Sequence, residues 1–371
     1  MEPVPEKTRV TAPKSLSTRK KASLAPRENG DVVKPPTILQ VAREAGVSKT
    51  SVSRYLGGDL DSLSPSFIEA IRQSITKLKY SPNQMARGLK GGRSRLVGML
   101  VADIQDSYSI AVMRGVEAAC QRHGYSFMIC NAAGGDSLEH RYLTAMKSYN
   151  VEGLIVHTIG RNTEALRALI AGRVPVVLLD RKIPGFEADT VGLDNTSSMQ
   201  VAINHLIERG FRDMLFMSGP IADTTPRQER HAAFNGFLSA CAGVTRHTCE
   251  VDVTDAPAIV GALRNFLGES GRGAKVVFAV NGPMLLSITR AMRTLKVVPG
   301  RDIGLIGIDE LDWCSLVDDG ITTVAQPTYD IGVSAAECLF RRLAGDASAP
   351  CALAYPGKLI VRGSTAHLDN R

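Results

Sequence analysis

No stretch of this 371-residue chain is apolar for long enough to span a bilayer, and its N-terminal segment lacks the apolar centre of an export signal. A cytoplasmic protein with no membrane partner is expected. Cysteine is sparse. The seven, at positions 120, 130, 241, 249, 314, 338 and 351, form no CxxC pair, and an odd number cannot all be bridged. Reduced thiols are the expectation. The seven histidines never recur at a helical metal-ligand spacing, so no metal is assigned. No GxSxG elbow offers a hydrolase nucleophile. Residues 268–275, GESGRGAK, have the glycines of a phosphate loop but not the Lys-Ser/Thr pair, and they precede a strand pattern instead of following one. Neither a catalytic residue nor a cofactor is assigned, and a non-enzymatic role is expected.

What is present is charge, unevenly placed. The chain carries a net charge of +7. Residues 1–34 hold eight basic against four acidic side chains, and residues 35–95 ten against four, which leaves the remainder acidic. A basic front on an acidic body fits a polyanionic partner. Residues 1–36 are rich in Pro, Ser, Thr, Lys and Arg and poor in large apolar groups, so they are expected to form a disordered basic arm. The length leaves room for a head and a two-lobed core.

The segment Thr37–Leu56, TILQVAREAGVSKTSVSRYL, packs two short helical patterns around one turn. Leu39, Val41, Ala42 and Ala45 supply the apolar side of the first. Gly46 suits the positive φ of the turn, and Ser48 can cap a second helix whose apolar side is Val52, Tyr55 and Leu56. A small residue at the crossing, a glycine in the turn and a β-branched anchor make a helix-turn-helix unit, which lays its second helix in the DNA major groove. Ser64-Pro65 then opens a third helix with Phe67, Ile68, Ile71, Ile75 and Leu78 at helical spacing. Tyr80-Ser81-Pro82-Asn83 leads into QMARGLK, residues 84–90. This order resembles the DNA-binding head and hinge of the lactose-repressor (LacI/GalR) family of bacterial transcription regulators, and the likeness runs from about Thr37 onward. The head is placed at 37–82 and the hinge with its linker at 83–94.

From Leu96 the chain alternates apolar runs with amphipathic helices: 96–103, 125–131, 153–158, 175–180, 213–218, 274–281 and 302–309 read as buried strands. Continuous Val/Ile/Leu runs of this kind indicate parallel sheets covered on both faces. An α/β core spanning 95–371 follows, with function expected beyond the strand C-termini. Polar residues sit there: Asp103, Asp180-Arg181, Asn281 and Asp309-Glu310. Each could equally cap the next helix.

The resemblance implies a two-lobed core like that of periplasmic sugar-binding proteins, with crossovers near Val191–Asn195 and Val324–Pro327 and a final helix, Thr328–Leu343, returning to the first lobe. It implies that Ser48, Lys49 and Thr50, with Ser53 and Arg54 one turn on, face operator DNA. In the hinge, Asn83, Arg87, Leu89 and Lys90 would meet the minor groove, with Leu89 as an apolar wedge. The hinge is far shorter than the ~12–15 residues an isolated helix needs in water, so it should fold only on DNA. A homodimer on a pseudo-palindromic operator is implied, and no heptad-patterned tail argues for anything larger. For the effector, Arg230 matches the arginine four residues before the aromatic in GPIADTTPRQERHAAF (219–234). Asp309 matches the pocket aspartate, Gln326 a cleft-edge glutamine, and Tyr108 a position often aromatic. Arg230 and Asp309 pairing only with one another is the structural alternative. Two departures stand out: Asn281 is followed by Gly282 where the family commonly has Asp, and no tryptophan lies near Asp252-Val253.

Segments 53–59, 83–104 and 148–158 look closer to regulators of 2-ketogluconate and related sugar-acid use than to purine or lactose regulators. Arg181 and Arg230, with Arg227 in reserve, suit a carboxylate. Asp180, Asn281 and Asp309 suit sugar hydroxyls, and without a tryptophan platform recognition should rest on hydrogen bonds. A sugar-binding receptor would share the core without the head. A sequence-independent architectural DNA-binding protein would share the basic front without the core. If Lys49 reads a base edge, Lys49→Ala should weaken operator binding by roughly 1–3 kcal/mol and relax preference at one base step per half-site. Equal weakening on all DNA in a gel-shift titration would make it a phosphate contact.

Overall fold

The computed structural model describes residues 35–81, 93–133, 135–158, 162–270 and 273–366. These fall in two compact units divided between Asn83 and Gln84. In the smaller, α1 (Ile38–Glu44), α2 (Lys49–Gly57) and α3 (Pro65–Leu78) surround Val41, Ala42, Val52 and Ile71. Its ends are closed by side chains. Thr37 and Gln40 form a reciprocal capping box, and Ser48 and Ser64 accept from the N–H groups of Ser51 and Phe67. Gly46 takes φ +65° in the turn. Two expected core residues are not in the core: Leu39 is 51% exposed and Phe67 44%. The buried stripe of α1 runs through Ile38, Val41, Ala42 and Ala45, which places Leu39 about 100° to one side; Phe67 likewise flanks the stripe of α3.

The larger unit begins with β1 (Leu96–Val101), α4 (Ser107–Arg122), β2 (Ser126–Asn131), α5 (Asp136–Ser148), β3 (Gly153–Val156), α6 (Thr163–Ala171), β4 (Val176–Leu179) and β5 (Asp189–Leu193). It crosses to a second lobe at α7 (Asn195–Glu208), followed by β6 (Phe211–Ser218), α8 (Thr225–Ser239), β7 (Thr245–Glu250), α9 (Ala256–Gly268) and β8 (Ala274–Ala279). Then come α10 (Gly282–Leu295), β9 (Gly304–Ile308) and β10 (Thr322–Ala325). It returns through α11 (Thr328–Leu343) and β11 (Ala352–Tyr355), then crosses once more to β12 (Lys358–Ile360). The first sheet, in order β11-β5-β4-β3-β1-β2, is parallel throughout. The second, β12-β10-β9-β8-β6-β7, is parallel except where β12 runs antiparallel to β10. All seven strands read from the sequence pair in parallel, and β12, which was not read as a strand, supplies the antiparallel edge. A third crossover, through residues 355–358, joins the two read from the sequence.

The returning helix is seated by two glycines. A Cβ on Gly115 in α4 would lie 2.1 Å from the carbonyl oxygen of Tyr329, and one on Gly332 in α11 would lie 2.1 Å from that of Val112. Only bare backbones can cross this closely. Near the C-terminal end of α11, Arg342 donates from Nε and Nη2 to the carboxylate of Asp189 at 2.7 and 2.9 Å. Burial would raise that carboxyl, but the Arg342 bonds and the N–H of Cys351 outweigh it and hold its pKa down at about 2. Gly332→Ala should force the two helices apart and lower the stability of the first lobe by about 1–3 kcal/mol, read as a lower urea midpoint. An unchanged midpoint would show that the crossing has slack.

Candidate functional site

In the head, Ser48 ends the turn and points the N-terminus of α2 outward. Lys49, Thr50, Ser53 and Arg54 are all exposed on α2, whose buried residue is Val52. Arg54 lies 4.0 Å from Asp59, a loose surface pair. Asn83, Arg87, Leu89 and Lys90 lie outside the described residues, and so do Gln84 and Met85.

In the core, the C-terminal edges of the two sheets meet. A narrow cavity of about 40 Å³ lies between them. The first lobe lines it with Asp106, Tyr108, His157, Asp180 and Arg181, and the second with Arg227, Arg230, Asn281 and Asp309; Gln326 comes from a crossover. All seven sequence-assigned core residues are thus brought together. The cavity shares Asp106, Arg181, Arg227 and Asn281 with a larger cleft of about 580 Å³.

The local backbone explains the convergence. Asp180 and Asp309 each end a buried strand with positive φ, +61° and +83°, a bend that aspartate tolerates better than most residues. Asp309 accepts from the Gly282 N–H at 2.8 Å and from Gln326 Nε2 at 2.6 Å. Arg230, buried in α8, donates to Asn195 Oδ1 at 2.7 Å and to the Val280 carbonyl at 2.8 Å, so it ties the first crossover to the end of β8. Its bonds are not to Asp309, and the pairing alternative gives way to this one. Asn281 caps α10, accepting from Met284 N–H at 3.1 Å.

Several buried polar atoms here have no protein partner: Tyr108 Oη, both ring nitrogens of His157, Asp180 Oδ1, Arg181 Nη1 and Gln326 Oε1. His157 Nε2 and Asp180 Oδ2 are 3.9 Å apart, too far for a hydrogen bond and close enough for one hydroxyl to bridge. Burial, with Arg181 adding to it, drives the His157 pKa well below its ordinary value, so the ring is neutral. Burial also raises Asp180, against the pull of Arg230 and Arg181. Asp106, the N-cap of α4, is pushed up to about 6 by burial and by Asp309. Arg227 is lowered by burial and by the like charge of Arg181. Such a site accepts and donates many hydrogen bonds while holding two guanidinium groups near one another.

A family model described as bacterial regulatory proteins, lacI family, matches residues 37–83, and one for a periplasmic binding protein-like domain matches residues 203–365. The chain is 47% identical over 329 residues to the HTH-type transcriptional regulator PtxS of Pseudomonas aeruginosa, covering 89% of this chain and 95% of that one. It is 38% identical to the HTH-type transcriptional regulator KdgR of Bacillus subtilis, over 88% and 97%. The chain belongs to the lacI family. It is a DNA-binding transcriptional regulator. The solved lac repressor dimer, bound to operator and the anti-inducer ONPF, shares the fold with a TM-score of 0.77 at 20% identity, over 90% of this chain and 100% of that one. A LacI family regulator from Enterococcus faecalis with bound ribose matches at 25% identity and TM-score 0.65, over 74% and 100%.

Sequence reasoning missed His157, Asp106 and Trp313 in this regulator. His157 follows the apolar run of β3 as Asp180 follows β4, so strand-end position was the available signal. Trp313 lines the larger cleft with Asp103, Arg181 and Asn281, which corrects the expectation of a cleft without tryptophan. It sits in the short 3-10 helix Asp312–Leu316 that follows Asp309-Glu310, far in sequence from Val253, and residue spacing did not place it. One pH consequence follows from Asp106. Its folded pKa lies above the unfolded 3.8, so the penalty is absent below about pH 4 and complete above about pH 6. Asp106→Asn, which keeps the cap, should stabilise the unliganded core at pH 7.5 by about 1–2 kcal/mol, allowing for solvent screening, and change nothing at pH 3.5. Urea midpoints at the two pH values check this, and equal effects at both would refute it.

Proposed function

We propose that this regulator represses transcription as a cytoplasmic homodimer on a pseudo-palindromic operator, and that a sugar acid in the core cleft controls its operator affinity. In this reading residues 1–36 are the basic arm, 37–82 read DNA, 83–94 couple head to core, and 95–371 bind effector and dimerise. Lys49, Thr50, Ser53 and Arg54 meet base edges or phosphates from the exposed side of α2. Asn83, Arg87, Leu89 and Lys90 act in the minor groove. A ligand that touches both lobes favours one lobe spacing over others, and differential affinity of that kind is what shifts a conformational population.

The observation that carries the sugar-acid reading is Arg181. Its Nη1 is buried without a partner beside Arg227, in a cavity that Arg230, aspartates, an asparagine, a glutamine, a neutral histidine and a tyrosine also line. A ligand carboxylate would satisfy that nitrogen and relieve the repulsion between Arg181 and Arg227. Asp180, Asp309, Tyr108, Gln326 and Asn281 would take the hydroxyls. Arg230 is already committed to Asn195 and Val280, so it supports the site and offers only its remaining donor capacity to ligand. The segments resembling regulators of 2-ketogluconate use favour 2-ketogluconate or gluconate within the class.

Calorimetry on the full chain should show binding of 2-ketogluconate or gluconate and little heat from glucose or ribose. Arg181→Gln should weaken the acid at least tenfold and leave operator binding in effector-free gel shifts unchanged. Tight binding of a neutral sugar or a purine, with no heat from the acids, would end the proposal.

A further inference from the structure

Cys338 lies in α11 and Cys351 stands immediately before β11, and neither lines the cleft. Both pack against the same apolar cluster of the first lobe. A single nitrogen, Arg341 Nη2, lies 3.6 Å from each sulfur. The two sulfurs are therefore no further apart than twice that distance. A guanidinium touching a sulfur favours the thiolate, the reactive form. The two thiols are not equivalent. Cys338 is 3% exposed, and burial together with Cys351 raises its pKa. Cys351 is only partly buried, so an oxidant reaches it first. The other thiols lack this setting. Burial drives Cys120 and Cys314 up to about 11, and Cys241 points its Sγ at the Phe237 carbonyl. Among the described residues no other two cysteines share a basic donor.

We propose that Cys338 and Cys351 form a redox-modification site whose substrate is a small hydroperoxide. The Cys351 thiolate attacks the terminal peroxide oxygen, the O–O bond breaks, and Cys351 becomes a sulfenic acid while hydroxide, or alkoxide from an organic hydroperoxide, departs. The Cys338 sulfur then attacks the sulfenic sulfur, gives up its proton and expels water, leaving a disulfide. Arg341 holds the thiolate in the first step. The bond would tie α11 to the start of β11, where the Cys351 N–H already bonds Asp189 at 2.9 Å. That strand leads directly into the third crossover, so the link stiffens the root of one inter-lobe connection.

Peptide mapping of the full chain, reduced and then treated with a small excess of hydrogen peroxide, tests this. Cleavage after Arg341 and Arg342 separates the two cysteines. The expected product is a joined Cys338–Cys351 peptide pair, two hydrogens lighter, formed before loss of Cys241 or Cys249 thiol and reversed by dithiothreitol. Cys338→Ser should leave a dimedone-trappable sulfenic acid at Cys351. Arg341→Ala should slow the first step several-fold, and Arg341→Lys should restore most of the rate. Absence of the joined pair in the wild-type chain, first reaction at Cys241 or Cys249, or an unchanged rate in Arg341→Ala would each overturn the proposal.

Discussion

The core is governed by the burial of unlike charges where its two lobes meet. Asp180, Arg181, Arg230 and Asp309 are withdrawn from water at one seam, where an ion without a close partner is costly. Arg230 and Asp309 are satisfied by fixed neighbours: Asn195 and the Val280 carbonyl for one, the Gly282 N–H and Gln326 for the other. Asp180 and Arg181 are satisfied only in part, each retaining an orphaned atom. The satisfied pair belongs to the second lobe and the unsatisfied pair to the first. In the proposed reading, a ligand at this seam would complete the hydrogen bonding of the first lobe, and so would have a differential grip on the two lobes.

The head works by different physics. Four buried side chains are a small core, and its helices are short, so much of its order comes from closing the ends. Thr37, Ser48 and Ser64 each cap a helix through a side-chain oxygen. Lys49, Thr50, Ser53 and Arg54 of α2 are exposed and stand outside that buried core.

The same distinction decides what was legible in the sequence. Caps, turn glycine and buried strands are set by residue type and spacing over a few positions, and all seven apolar runs became strands. Five strands were not read: β5 and β10, which were placed only as crossovers, and β7, β11 and β12, whose partners more than their composition make them strands. β7 reads TRHTCE, with no apolar alternation, and forms because β6 offers it a parallel edge. β11 and β12 are short edge strands fixed by partner strands distant in sequence. In the cleft, Asp180 and Asp309 were legible because strand ends in an α/β sheet point to one edge. The partnerless state of His157 was not, since an unmet hydrogen bond is a property of three-dimensional surroundings.

Arginine in the cleft does not by itself specify an acid, because a guanidinium already held by protein acceptors is scaffold. Arg230 is such a case, with two of its nitrogens bound to Asn195 and Val280. Arg227 is partly so, donating to the Pro220 carbonyl at 3.1 Å with Asp223 at 3.9 Å. Arg181 differs, since its nearest counter-charges are aspartates that burial pushes toward the neutral form. Those carboxylates are themselves costly to keep charged, and Arg181 Nη1 stays a buried donor with no protein acceptor. A neutral sugar could satisfy the hydroxyl-reading groups and still leave that donor without an ionic acceptor. An acid of the same skeleton would answer both, and this asymmetry, more than the number of arginines, is what favours it.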